Sequence, residues 1–146
     1  MNDRYLFRGK RIDGGWVTGS WYGGSDECGS FLYIIPHTAL PSQTDTIEFT
    51  MYLIDPTTIG QCTGFRDENG VLIFEGDVVT YGGGEQDYKF NSWVVVWNER
   101  YGGRYELENI QTKHTQTRPC ISRMGHEERE RLTIIGNIHD NPEATT

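Results

Sequence analysis

Glu75 and Asp77 stand two residues apart across Gly76, the spacing in this chain that most invites a chemical reading. With His139 or His126 folded beside them, the two carboxylates could supply a general acid and base or hold a divalent cation. Acid–base work needs groups that converge in a pocket, and no third partner stands at a telling spacing from this pair. The same residues make a turn. Gly76 suits a backbone conformation costly for other residues, and Asp77 can accept hydrogen bonds from nearby amides. Turn stabilisation is therefore preferred over catalysis here.

Other chemistry has less support. His37, His114, His126 and His139 lie in four separate segments, none with a second His or Cys at zinc-site spacing. Cys28, Cys62 and Cys120 form no Cys-x-x-Cys pair, and only Cys120 has basic neighbours, Arg118 and Arg123, that could lower a thiol pKa. Gly82-Gly83-Gly84 runs into Glu85, and no Gly-Lys-Ser or Gly-Lys-Thr cradle for phosphate occurs. No catalytic residue, metal or cofactor is expected.

The elements that would position these residues are short strands. In 146 residues there are 18 glycines and 12% aromatics, including four Trp and eight Tyr, a composition too aromatic for disorder and suited to many turns. Leu6-Phe7-Arg8 and Trp16 to Tyr22 flank the turn Asp13-Gly14-Gly15 as a first hairpin. A glycine-rich loop, Gly23 to Gly29, precedes a third strand from Phe31 to Ile35 that Pro36 ends. Ile47 to Leu53 alternates cleanly, with Ile47, Phe49, Met51 and Leu53 on its apolar face. Val71 to Phe74 and Val78 to Tyr81 are brief strands around Glu75-Gly76-Asp77. Trp93 to Trp97 is the strongest β signal and reads as central, returning through Tyr101-Gly102-Gly103-Arg104. Residues 108–126 read as a long polar loop, Glu127 to Arg131 as a solvent-facing helical turn, and Leu132 to Ile135 as the last strand.

The net charge is −8, with four basic against seven acidic residues in 1–56 and nine against fourteen in 57–146. A nucleic-acid backbone is thus disfavoured as main partner, because phosphate binding draws on Lys and Arg. Arg8-Gly9-Lys10-Arg11, with Arg4 before it, is the local exception. The start of the chain lacks the apolar core of a signal peptide, and no run reaches the ~18 apolar residues of a membrane span, so a soluble, reduced intracellular protein is expected.

Gln61-Cys62-Thr63-Gly64-Phe65-Arg66-Asp67-Glu68-Asn69-Gly70 precedes Ile73-Phe74-Glu75-Gly76-Asp77-Val78-Val79, and Ile135-Gly136-Asn137-Ile138-His139-Asp140-Asn141-Pro142-Glu143 closes the chain. With Phe7-Arg8-Gly9-Lys10 near the start, this series resembles the YopX family of phage and prophage proteins over nearly the whole length. Cys62 stands where the family favours an aromatic, and His139 where Tyr is frequent. The resemblance implies a small accessory protein in the cytoplasm of a bacterial host, without an assigned activity. Its signature positions Gly64, Asp67, Asn69, Gly70, Glu75, Gly76, Asp77, Gly136, Asn137 and Pro142 read as structural, with Asp67 capping the Asn69-Gly70 hairpin. The aromatic-x-Gly-Asp-aliphatic-aliphatic form of Phe74 to Val79 further resembles the turn of SH3-like barrels.

The expected fold is mostly β, with α+β as the alternative: a hairpin-rich N-terminal subdomain over residues 1–56 and an SH3-like barrel over residues 57–146. More aromatics occur than one small core takes up, and Trp16, Trp21, Tyr22 and Tyr101 are the expected partner surface. The leading expectation is a non-enzymatic module that binds a host or phage protein, or its own copies. The alternatives are nucleic-acid binding through Arg4, Arg8, Lys10, Arg11 and exposed aromatics, or a small hydrolase-like enzyme using Glu75, Asp77 and His139.

Overall fold

Alternating apolar residues and positive-φ glycines fold this chain into two antiparallel sheets with little helix. A computed structural model describes residues 3–37, 50–81, 92–110 and 120–140. The chain divides into two compact units, Met1–Cys62 and Thr63–Thr146.

In the first unit, β1 (Phe7–Lys10) pairs with β2 (Trp16–Asp26), which pairs with β3 (Gly29–Pro36) and through it with the short β4 (Tyr52–Leu53). The opening residues of β5 (Gly60–Arg66) add to the other side of β1, with Phe7 opposite Gln61. Gly14 and Gly15 make the β1–β2 turn at φ 93° and 81°, the left-handed region that favours glycine. The β2–β3 ladder is longer than the glycine-rich segment suggests. Gly23 and Gly24 lie inside β2, and a Cβ on Gly24 would sit 3.0 Å from the Phe31 ring, so the missing side chain makes room for the aromatic opposite. The reversal is confined to Glu27 and Cys28, where the Asp26 carboxylate accepts from the Cys28 amide at 2.8 Å.

The strand expected at Ile47 to Leu53 differs. Ile47 and Phe49 lie outside the described residues, and pairing is limited to Tyr52–Leu53. Met51 and Leu53 are 44% and 40% exposed whereas Ile54 is buried, so the apolar alternation there does not mark the buried face. Asp55 then stops the strand. Its carboxylate accepts from the Thr57 amide at 3.0 Å and caps the 3-10 turn Pro56–Thr58.

In the second unit, β5 turns back at residues 67–71 into β6 (Leu72–Phe74). A separate sheet runs β10 (Leu132–Asn137), β7 (Asp77–Tyr81), β8 (Ser92–Asn98), β9 (Arg104–Asn109) in spatial order. The Trp93 to Trp97 strand is interior to it. Among the described residues no ladder joins β9 to β10, so the sheet does not close into a barrel. Ile73, Val79, Val95, Tyr105, Leu107, Ile121 and Leu132 form the core of this unit. Ile121 is an exception to the reading of 108–126 as a long polar loop. It sits on a 3-10 turn, Ile121–Arg123, held beside β9 by a bridge between Cys120 and Glu106; residues 111–119, His114 among them, lie outside the described set. The acidic segment forms one exposed turn of helix, α1 (His126–Arg129). The triple glycine at 82–84 also lies outside the described residues.

Gly102 and Gly103, at φ 87° and 83°, carry β8 into β9. A Cβ on Gly103 would lie 2.4 Å from the Trp97 ring, while one on Gly102 would meet nothing within 4 Å. Gly102→Ala is expected to cost about 1 kcal/mol from backbone strain alone, and Gly103→Ala about 3 kcal/mol from strain plus overpacking. Urea midpoints at unchanged m-value measure the difference.

Candidate functional site

The carboxylate of Asp77, 1% exposed, is turned into its own turn. One oxygen accepts from the Phe74 amide at 2.8 Å and the other from Asn137 Nδ2 at 3.3 Å. Asn137 Oδ1 in turn accepts from the His139 amide at 2.9 Å. Gly76, at φ 87°, donates its amide to the Val95 carbonyl and accepts from the Ile138 amide at 3.0 Å. The turn Phe74 to Asp77 is thereby tied to both β8 and the end of β10. Glu75 is half-buried beside it.

Asp67 works the same way at the next turn. One oxygen accepts from the Asn69 and Val71 amides, both at 2.9 Å, and the other from the Ile134 amide of β10 at 3.2 Å. Glu68 adds two bonds: its amide donates to the Leu132 carbonyl at 2.9 Å, and its carboxylate accepts from the Thr133 hydroxyl. Asn69 and Gly70 are exposed at the tip, Gly70 at φ 76°. Gly64 is exposed at φ 83°, and Gly136 falls at the register shift after Ile134 in β10. Pro142 lies outside the described residues. Two of the signature carboxylates thus hold turns against one strand, and their oxygens point to backbone and Asn137 donors.

The histidine of the acid–base reading is linked to Asp77 through the Asn137 side chain, which accepts from the His139 backbone amide. His139 lines a groove of about 370 Å³ with Val94, Val96, Glu108, Asn109, Ile110 and Ile138, a set that contains neither Glu75 nor Asp77. His126 is exposed on α1, 3.2 Å from Glu130, and His37 bonds the Ser20 hydroxyl at 2.6 Å. Among the described residues no three His, Cys, Asp or Glu side chains gather as metal ligands. Cys28 is exposed, whereas Cys62 and Cys120 are buried, and none of the three is in a disulfide.

The aromatic surface divides by strand alternation. Trp21 and Tyr22, 51% and 57% exposed, are consecutive in β2 and point to opposite faces. Trp21 packs edge-on to Phe7 at 6.2 Å. Tyr22 begins a row of rings, 6.1 Å to Phe31 and 5.8 Å from Phe31 to Tyr33, with Leu53 opposite Tyr33. Trp16 shares the Tyr22 face, and the Arg8 guanidinium sits 4.8 Å over its ring while Lys10 pairs opposite it. Arg11 is directed to the other face, over Tyr52, and is paired with Asp13; Arg4 is exposed. The Tyr101 side chain lies outside the described set. Trp97 is exposed but stacked edge-on against Tyr105 at 4.9 Å, and Trp93 packs on the core.

One charged cluster escaped the sequence reading. Glu106 is 2% exposed and accepts from Arg104 Nε at 2.6 Å and Asn98 Nδ2 at 2.8 Å. In sequence, Glu106 and Glu108 alternate with Tyr105 and Leu107, the pattern of a strand with one wet face. The available signal was the spacing of Asn98, Arg104 and Glu106 around a tight hairpin, which brings their side chains to one face.

The family model described as YopX protein matches residues 17–144, and the chain belongs to that family. Among solved structures, the crystal structure of protein EF1440 from Enterococcus faecalis is similar, with 20% sequence identity, a TM-score of 0.53 and 97% of each chain covered. That likeness concerns the fold. No curated protein matches the chain. No helix among the described residues is long and apolar enough to cross a membrane.

Asp77→Ala removes the acceptor of two buried donors and is expected to cost about 3 kcal/mol, with Asp77→Asn, which keeps one acceptor, costing about half as much. Denaturant titration of both variants checks the order. Arg104→Leu leaves the Glu106 charge buried and is expected to cost about 3 kcal/mol, whereas Arg104→Leu combined with Glu106→Leu costs less. A double-mutant cycle measures that coupling.

Proposed function

We propose that this YopX-family chain is an accessory protein of phage or prophage origin that acts by binding another protein, in the cytoplasm of a bacterial host, without catalysing a reaction. The observation that supports binding is the half-exposed ring row Tyr22–Phe31–Tyr33 on one face of the first unit, continued by exposed Leu53. Apolar side chains presented together on a sheet face are the usual mark of a partner surface. Support for a non-catalytic role comes from Asp77, whose two oxygens are engaged by turn donors. We read residues 57–146 as an SH3-like module that follows an N-terminal subdomain over residues 1–56. The strand order β10-β7-β8-β9, with a 3-10 turn before the last strand, supports that reading.

A second reading, nucleic-acid binding, is favoured by one feature: Arg8 stacked on Trp16 with Lys10 opposite, cations beside an aromatic that could carry a base. The net charge of −8 stands against it. The experiment is capture of partners from phage-infected cells by the tagged chain, compared with Tyr22→Ser/Tyr33→Ser. One stoichiometric protein recovered by the parent and lost by the variant supports the proposal; identical recovery with both removes the ring row from it. Light scattering on the purified chain reports self-association. Retardation of single-stranded DNA at low salt, abolished at high salt and by Arg8→Ala/Lys10→Ala, would install the second reading instead.

A further inference from the structure

We propose that the second unit carries a small-ligand site for a flat apolar molecule bearing one acidic group, in a groove on the core side of its sheet. The groove has a volume of about 420 Å³ and is lined by Tyr81, Trp93, Leu107, Cys120, Arg123, Met124 and Glu128. That size falls within the roughly 300–1,000 Å³ of small-molecule sites.

Its floor follows from the sheet register. Val79 is opposite Trp93 and Val95 opposite Leu107, so alternation places Tyr81, Trp93 and Leu107 on the face that also holds the core residues Val79 and Val95. Its wall is the 3-10 turn Ile121–Arg123, followed by Met124 and α1. Ile121 is fully buried in the core and anchors that turn, while Trp93 and Met124 are only partly buried against the same core. An indole, a leucine and a thioether make a surface for a planar ring, and Met adapts to its outline.

The polar groups define the ligand's charge. One oxygen of Glu128 accepts from the Gly125 amide at 3.1 Å, which draws that carboxylate toward the start of α1. Arg123 closes the last residue of the 3-10 turn and is exposed at the groove. Its guanidinium is suited to a carboxylate or sulfonate by paired N–H donors. The phenol of Tyr81, on the exposed end of β7, adds a donor or acceptor at the opposite side. An apolar floor with a few polar groups at its edge is the composition of a ligand pocket. This site is independent of the ring row on the first unit.

The test uses the full chain and two probes that share one ring system, 1-anilinonaphthalene-8-sulfonate and the uncharged N-phenyl-1-naphthylamine. Fluorescence titration is expected to give one saturable site, with the sulfonate bound roughly tenfold more tightly than the neutral probe. Arg123→Gln is expected to erase that preference and Arg123→Lys to retain some of it, with urea midpoints of both variants at the parent value because the side chain is exposed. A titration with no saturable site, or a preference that survives Arg123→Gln, overturns the proposal.

Discussion

Two buried carboxylates fasten the second unit together, and most of its geometry depends on where their oxygens go. Asp67 gathers two backbone donors of its own turn and Asp77 one, and each adds a donor on β10 more than fifty residues away in sequence. A carboxylate that accepts several N–H groups is satisfied in a buried setting that an isolated charge could not occupy. The consequence is topological. The last strand is placed beside β7 by its ladder and held along its other side by the turn at Asp67 and Glu68, which takes up backbone and side-chain partners an edge strand would otherwise present to other chains.

This explains why a pair such as Glu75 and Asp77 looks catalytic in sequence yet is read better as architecture. A carboxylate serving acid–base chemistry needs an oxygen facing a reacting group. Asp77 instead directs its oxygens at Phe74 and Asn137, and the Asn137 carbonyl passes the connection on to the His139 backbone, not to its imidazole. Residues with the makings of a site are gathered by the turn they stabilise. Two concave, partly apolar surfaces among the described residues of this unit lie over β8 and β9, where larger side chains bound the space.

The first unit depends on a different constraint, the absence of side chains. Gly9, Gly19 and Gly24 leave room for Ile54, for the Ile35–Pro36 backbone and for the Phe31 ring, so the strands of this sheet can carry bulky aromatics without separating. Because consecutive strand residues face opposite ways, Trp21 and Tyr22 serve different surfaces even though they adjoin in sequence. The Arg8–Trp16 stack and the Tyr22–Phe31–Tyr33 row share one face, and that grouping is a product of register across three strands.

Local chemistry determined much of this protein before any long-range contact formed: a mostly β chain, the turns at Gly14-Gly15 and Asn69-Gly70, the interior strand Trp93 to Trp97, and a family signature that the YopX match across residues 17–144 establishes. Those features rest on backbone preference and period-two alternation, which are written residue by residue. Only tertiary structure decided that Gly23 and Gly24 are strand, because what occupies the space beside them, the Phe31 carbonyl and Leu32 side chain at Gly23 and the Phe31 ring at Gly24, comes from another strand. It likewise decided that Ile121 is core and that Leu53 faces outward. Glu106 shows the limit most plainly: alternation marks which residues share a face, but whether that face is dry depends on what packs over it. The bonds from Arg104 and Asn98 that make a buried carboxylate tolerable exist only once the β8–β9 hairpin has set its register.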